Sequence, residues 1–249
     1  IRRHNYVNNV VASANVINSC INHGVKKLIF ASSMDVYGTQ DPPFTEDQRP
    51  LPEDPYGIAK YAVEQDIYAA NRLFGLRYSI VRPHNVSGIY QNIWDKYRNV
   101  IGIWIRQSLS GQPLTIYGEG KQMRSFSDVD FYMEPFEKLM EMGDGEIFNI
   151  GADSYVSISE AADRFSAIAK QNGLNSAVVH LEPRDEVLFA YCDHTKAKNY
   201  LQFRDDTNFE VLVDKMIVWA KDQPERPVKF MNYEIEKKMY SYWKKSKLE

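Results

Sequence analysis

Apolar residues recur at near-helical spacing through "NNVVASANVINSCINHG", where Val10, Val11, Ala14, Val16, Ile17 and Ile21 share a face and Gly24 supplies a stop. A continuous apolar run from Val25 to Ala31 follows, the pattern of a strand buried on both faces of a parallel sheet. The pair then repeats. "YGIAKYAVEQDIYAANRLFG" predicts an amphipathic helix ending at Gly75, and "LRYSIVRP" predicts a buried strand ending at Pro83. Helix, strand, helix, strand is the alternation of an α/β protein.

Beyond residue 85 the rhythm loosens. The pattern predicts a helix over Arg98 to Leu109, a short strand at "PLTIYG", a helix around Phe131 to Met142 and a strand at Ile147 to Ile150. Ser157, with Glu160 three residues later, forms a capping box for a helix at Ile158 to Gln171. "AVVHL" and the amphipathic "FEVLVDKMIVWAKDQ" complete a smaller lobe, edged by Pro224 and Pro227. The tail "NYEIEKKMYSYWKKSKLE" predicts a last surface helix, with Lys237-Lys238 and Lys244-Lys245 on its solvated face. There is no internal repeat and no low-complexity segment.

Composition narrows the function classes. With 44% hydrophobic and 25% charged residues the chain can bury a core, and a net charge of −3 with pI near 6.0 gives no basic excess for a nucleic-acid or membrane surface. Cys20 and Cys192 are the two cysteines, far apart and without the spacing of a zinc site, so no metal site and a reducing compartment are expected. No run approaches the length of a membrane span and no signal peptide leads the chain, which points to a cytoplasmic protein.

The candidate chemistry sits where the first strand ends. Ser33 follows "KKLIFAS" at the C-terminal end of a strand, the end at which open α/β sheets bind ligands. In "DPYGIAK", Tyr56 and Lys60 stand four apart at the start of a helix and project from one face. An ammonium one turn from a phenol favours the phenolate and brings its pKa toward the range of a general base. With 16 tyrosines in the chain, Tyr-x-x-x-Lys alone is weak. Its order with Ser33, Tyr37-Gly38, Pro55, Gly57 and Arg82-Pro83-His84-Asn85 makes chance a poor account. Tyr37 reads equally as packing or as pocket wall, and Ser32 is expected to bond backbone at the strand end.

Together "FASSMDVYG", "PYGIAK", "RPHNVSG", "LTIYGEGKQMRSFSDVD", "FNIG" and "DHTKAK" span most of the chain. In these motifs it resembles the extended short-chain dehydrogenases/reductases, in their NAD-dependent epimerase/dehydratase group, nearest in pattern to UDP-glucose 4-epimerases. The resemblance implies a Rossmann-type doubly wound parallel sheet, with residues 1–90 in the NAD-binding domain and later segments returning to it. Residues 91–249 then form mainly the sugar-nucleotide lobe and C-terminal helices. It implies that Tyr56 is the base, that Lys60 binds the nicotinamide ribose and tunes Tyr56, and that Ser33 assists. Asn9 lies near the cofactor and supports its own helix, and Pro83 and His84 line the nicotinamide pocket. Asn85 meets the diphosphate, Arg124 a phosphate or ribose, Thr115 and Tyr117 the uracil, and Arg184 a phosphate. Taken alone, Arg124 reads as a surface ion pair and Asn85 as a turn residue. NAD is the implied cofactor and a UDP-hexose the implied substrate, with homodimerisation through the helices at Asn9 to Asn22 and Tyr56 to Phe74.

Two departures shape the expectation. None of the 13 glycines forms a G-x-G-x-x-G turn, so the sheet's first strands, in about 80 residues, are expected to precede Ile1. The chain by itself is then expected to show little or no catalysis and to expose an unpaired, apolar sheet edge, with a non-catalytic remnant as the competing reading. Second, dehydratases of this group carry an acid directly after the serine, where this chain has Met34 and only then Asp35. Epimerisation is therefore expected, with dehydration or another oxidoreduction of the same family as the alternative.

Overall fold

The computed structural model describes residues 1–174, 176–184, 186–228 and 233–243. Its elements run α1 (Arg2–Asn5), a π-helical stretch (Tyr6–Val11), α2 (Ala12–Asn22), β1 (Lys27–Ala31), α3 (Pro55–Phe74), β2 (Arg77–Pro83), β3 (Val86–Ser87), α4 (Val100–Leu109), β4 (Leu114–Tyr117), β5 (Met123–Arg124) and β6 (Ser127–Asp128). There follow α5 (Met133–Glu141), β7 (Ile147–Ile150), β8 (Val156–Ser157), α6 (Ile158–Gln171), β9 (Val178–Leu181), β10 (Phe189–Ala190), α7 (Thr195–Leu201) and α8 (Phe209–Lys221). Short 3-10 turns lie at Met34–Tyr37, Val129–Tyr132 and Ser241–Trp243. One compact unit consists of Ile1–His84, Asp130–Asp153 and Ala190–Asp206, the other of Asn85–Val129, Ser154–Phe189 and Thr207–Glu249.

The first unit is built on a parallel sheet in the order β1-β2-β7, with Ala31 opposite Val81 and Pro83 opposite Ile150. Leu28, Phe30 and Tyr78 pack on Ile17 and Cys20 of α2 and on Val63 and Ile67 of α3. Because side chains alternate along a strand, Lys27 points the other way, and its ammonium reaches the carbonyl of Met142 just beyond α5 (2.5 Å). Helices thus cover both faces, the doubly wound arrangement. β1 is half-buried rather than buried, with Ala31 exposed. That corrects the expectation of a fully buried strand: among the described strands β1 is at an edge, where one side of the ladder has no neighbour to cover it.

The second unit packs around Trp104 and Ile105 of α4, Phe165 of α6 and Leu212, Met216 and Ile217 of α8, all buried. β4 pairs with β9 and β3 with β6, both parallel, while β5 runs antiparallel to β8. The capping box holds, since Ser157 Oγ accepts the amide of Glu160 (3.0 Å). The tail departs from expectation. Among its described residues, Tyr233 to Trp243, the only helical piece is the 3-10 turn at Ser241–Trp243, and Lys237 and Lys238 lie in an exposed turn. The rest of the expected helix, with Lys244 and Lys245, lies outside the described residues. Among the described residues no helix is long and apolar enough to cross a membrane, and no group of side chains is arranged to hold a metal ion.

Candidate active site

β1 ends as the amide of Ser32 donates to the carbonyl of Val81 (2.7 Å), and the chain leaves the sheet in extended conformation at Ser33. Ser33 is buried, and its Oγ accepts the amide of Asp35 (3.2 Å), capping the 3-10 turn. The hydroxyl proton therefore remains available to an outside acceptor. α3 starts from Asp54, whose carboxylate takes the amides of Tyr56 (2.6 Å) and Gly57 (3.1 Å), with Pro55 in the first turn. Gly57 seats that turn against the serine loop: a Cβ there would stand 2.5 Å from the carbonyl oxygen of Asp35. One turn on, Lys60 Nζ donates to the carbonyl of Ala31 (2.9 Å) and lies 5.7 Å from the centroid of the Tyr56 ring. Serine, phenol and ammonium thus share the C-terminal edge of the sheet. Burial holds the Lys60 ammonium below the ordinary lysine range.

Beneath this edge lies a buried polar array that the sequence reading missed. Ser32 Oγ donates to Glu64 Oε1 (2.5 Å) rather than bonding backbone, which corrects the expectation for that hydroxyl. Arg82 grips Glu64 through Nε (3.0 Å) and Nη2 (2.7 Å), and its Nη1 donates to the Tyr37 hydroxyl (2.9 Å). Tyr37 in turn donates to Asn149 Oδ1 (2.8 Å). Glu64 is 0% and Arg82 1% exposed, so this is an enclosed ion pair. Tyr37 is fully buried and stacked on Phe44, hence packing, and burial pushes its phenol far up. The available signal was Glu64 itself, one turn past Lys60 on the inward face.

Pro83 closes β2, and His84 follows it into the core of the first unit. Its Nε2 lies 2.9 Å from Nε2 of His194, whose Nδ1 lies 2.9 Å from Asp153 Oδ1. A carboxylate only accepts, so His194 carries its proton on Nδ1 and receives the Nε2 proton of His84. Burial, reinforced by the neighbouring imidazole, pushes His84 down to about 3. Asn9 lies in the π-helical stretch, half-buried, its amide donating to the Asn5 carbonyl (2.9 Å).

The side chains assigned to the nucleotide lie in the second unit. Asn85 adopts φ 43°, a left-handed conformation that asparagine tolerates, and its carbonyl accepts the Ser127 amide (3.2 Å). Its side-chain Nδ2 is buried with no hydrogen-bond partner among the described residues, a donor that suits an anionic oxygen. Thr115 and Tyr117 lie on β4, and Arg184 places its guanidinium 4.6 Å from the Tyr117 ring centroid. Glu186 gathers both arginines, Arg184 at 2.5 Å and Arg124 at 3.8 Å. The sequence reading missed Glu186 and the C-terminal aromatics around Tyr117.

The profile of the NAD dependent epimerase/dehydratase family matches residues 2–151, which include Ser33, Tyr56, Lys60 and Asn85. The chain belongs to that family. Its members are sugar-nucleotide epimerases and dehydratases, enzymes that use NAD. The chain is 33% identical over 216 residues to the UDP-N-acetyl-alpha-D-glucosaminuronate decarboxylase of Bacillus cytotoxicus, covering 80% of this chain and 65% of that one. A UDP-glucose 4-epimerase from Thermotoga maritima, solved with UDP-glucose, superposes with TM-score 0.80 at 29% identity, over 88% of this chain and 71% of that one. A UDP-glucuronic acid 4-epimerase from Bacillus cereus, solved with UDP-glucuronic acid and NAD, gives 0.77 at 25% identity, over 86% and 68%. The chain thus spans about two thirds of the length of these relatives.

The family's cofactor fits the residues at one end. Of the three N–H donors of Lys60 one is engaged by Ala31, and the remaining two suit ribose hydroxyls beside Tyr56. The glycine-rich turn that would hold the pyrophosphate has no counterpart among the 13 glycines.

Proposed function

We propose that this chain carries the catalytic tyrosine and the nucleotide lobe of an NAD-dependent UDP-hexose 4-epimerase. The observation that carries the reading is the seating of Tyr56 and Lys60 against the end of β1, through Gly57 on Asp35 and Lys60 on Ala31. Tyr56, as phenolate, takes the proton of the sugar C4 hydroxyl. Lys60 favours the phenolate by its charge, and Ser33 donates its free proton to the same oxygen, holding it as the carbonyl forms. NAD, when bound, supplies the hydride acceptor and donor at C4. After the 4-keto sugar turns, Tyr56 returns the proton to the C4 oxygen as the hydride arrives on the opposite face. Asn85, Arg124 and Arg184 anchor the nucleotide while the hexose moves, with Asn9, Pro83 and His84 on the cofactor side. Glucose is the proposed hexose. The relatives named for glucuronate and N-acetylglucosaminuronate share the same framework.

Met34, buried and unable to transfer a proton, favours epimerisation over the elimination of water. The test joins this chain to a glycine-rich cofactor segment and supplies NAD and UDP-glucose. UDP-galactose is the expected product, with turnover in Tyr56→Phe lowered at least about a hundredfold because the phenolic base is gone. A 4-keto-6-deoxy sugar would implicate Asp35, and undiminished activity in Tyr56→Phe would end the assignment of the base.

A further inference from the structure

The described end of the chain lies across the side chains read above as the nucleotide site. Arg184 is sandwiched, 4.6 Å from the centroid of Tyr117 and 5.1 Å from that of Trp243, with Glu186 on its edge. The rings of Tyr240 and Tyr242 stand 6.3 and 6.4 Å from Tyr117. Gln107 donates both to Thr115 Oγ1 (3.0 Å) and to the Tyr242 hydroxyl (3.2 Å). The ring that would stack on a base and the guanidinium that would pair with phosphate are both engaged by the chain itself.

We propose that Tyr240, Tyr242 and Trp243 set the affinity for nucleotide by occupying this site, so that a nucleoside diphosphate binds by displacing them. The inference rests on the assignment of Thr115, Tyr117 and Arg184 to the nucleotide. Displacement is physically cheap. The residues from Tyr233 to Trp243 are half-buried or exposed, none of them fully enclosed, and the segment has no strand ladder. It is held at Ser241, whose amide (2.6 Å) and hydroxyl (2.8 Å) both donate to Glu182 at the surface. Exposed bonds of this kind exchange readily for bonds to water, and segments held largely by them open at low free energy. A nucleotide offers Tyr117 a flat ring and Arg184 a charge-assisted, two-pronged partner in exchange. The apparent dissociation constant is then the intrinsic one divided by the fraction of chains with the segment displaced.

Calorimetric titration of UDP into the chain, into the triple variant Tyr240→Ala/Tyr242→Ala/Trp243→Ala and into the single latch variant Glu182→Gln tests this. The triple variant is expected to bind UDP about tenfold more tightly, and the latch variant to move the same way by less. Binding by the variants with none by the parent also supports the proposal. Unchanged or weaker binding in the triple variant overturns it, since the aromatics would then be idle or part of the site's wall, and leaves the nucleotide assignment standing. Absence of UDP binding in all three proteins overturns the assignment and the inference together.

Discussion

His84 and His194 form a buried pair whose protonation the surroundings constrain. Both are buried and both are shifted below the ordinary histidine value, His84 from 6.5 to about 3. Burial is the largest cause in each. For His84 the second is His194, opposed by Asp153, while at His194 the charges of Asp153 and Asp205 act against that of Lys198. Neutral when folded, His84 binds fewer protons than in the unfolded chain from about pH 6.5 down toward pH 3, and His194 acts in the same direction. Stability is therefore complete above pH 6.5 and declines as pH falls through that window. Each histidine contributes a slope of up to about 1.4 kcal/mol per pH unit. Urea unfolding of the chain at pH 4.5 and 7.5 is expected to show the loss, and His84→Gln to reduce its pH dependence. An equal pH dependence in the variant would mean that His84 is not held neutral.

At the scale of elements, α3 depends on an ion pair that water does not reach. Glu64 receives Ser32 and two nitrogens of Arg82, fixing the helix that carries Tyr56 and Lys60 to the ends of β1 and β2. Removing one partner strands the other, so Glu64→Ala is expected to destabilise the first unit by about 3–5 kcal/mol in denaturant unfolding. A loss below about 1 kcal/mol would show that water or a rearranged Tyr37 satisfies Arg82. α3 was legible because its signals are local: Asp54 before Pro55, an apolar face at helical period, and Gly75 at φ 73° after Phe74. β7 and α6 were legible for similar reasons. The tail was not. Its tyrosines, tryptophan and lysines read as a helix face, yet the aromatics find Tyr97, Tyr117 and Arg184, and tertiary packing overrides propensity. The half-burial of β1 was hidden too, because an apolar run does not say how many neighbours a strand has. The Ser32–Glu64–Arg82–Tyr37 array lay beyond reach because its members come together only when α3 and β2 pack.

At the scale of the molecule, each unit holds one part of the proposed chemistry. Ser33, Tyr56 and Lys60 belong to the first unit, and Asn85, Thr115, Tyr117, Arg124 and Arg184 to the second. In a protein joined to a glycine-rich cofactor segment, Arg124→Ala is expected to weaken UDP-glucose binding about tenfold or more while leaving NAD binding within about twofold. Equal loss of both ligands would remove Arg124 from the nucleotide site. The most direct test of the account follows the hydrogen on C4. UDP-glucose carrying deuterium at C4 is incubated with that protein and NAD, and the products are read by NMR. The account predicts UDP-galactose with deuterium retained at C4, because the hydride removed from that carbon is returned to it. Deuterium at C6 of a 4-keto-6-deoxy sugar, or UDP-galactose without the label, would contradict it.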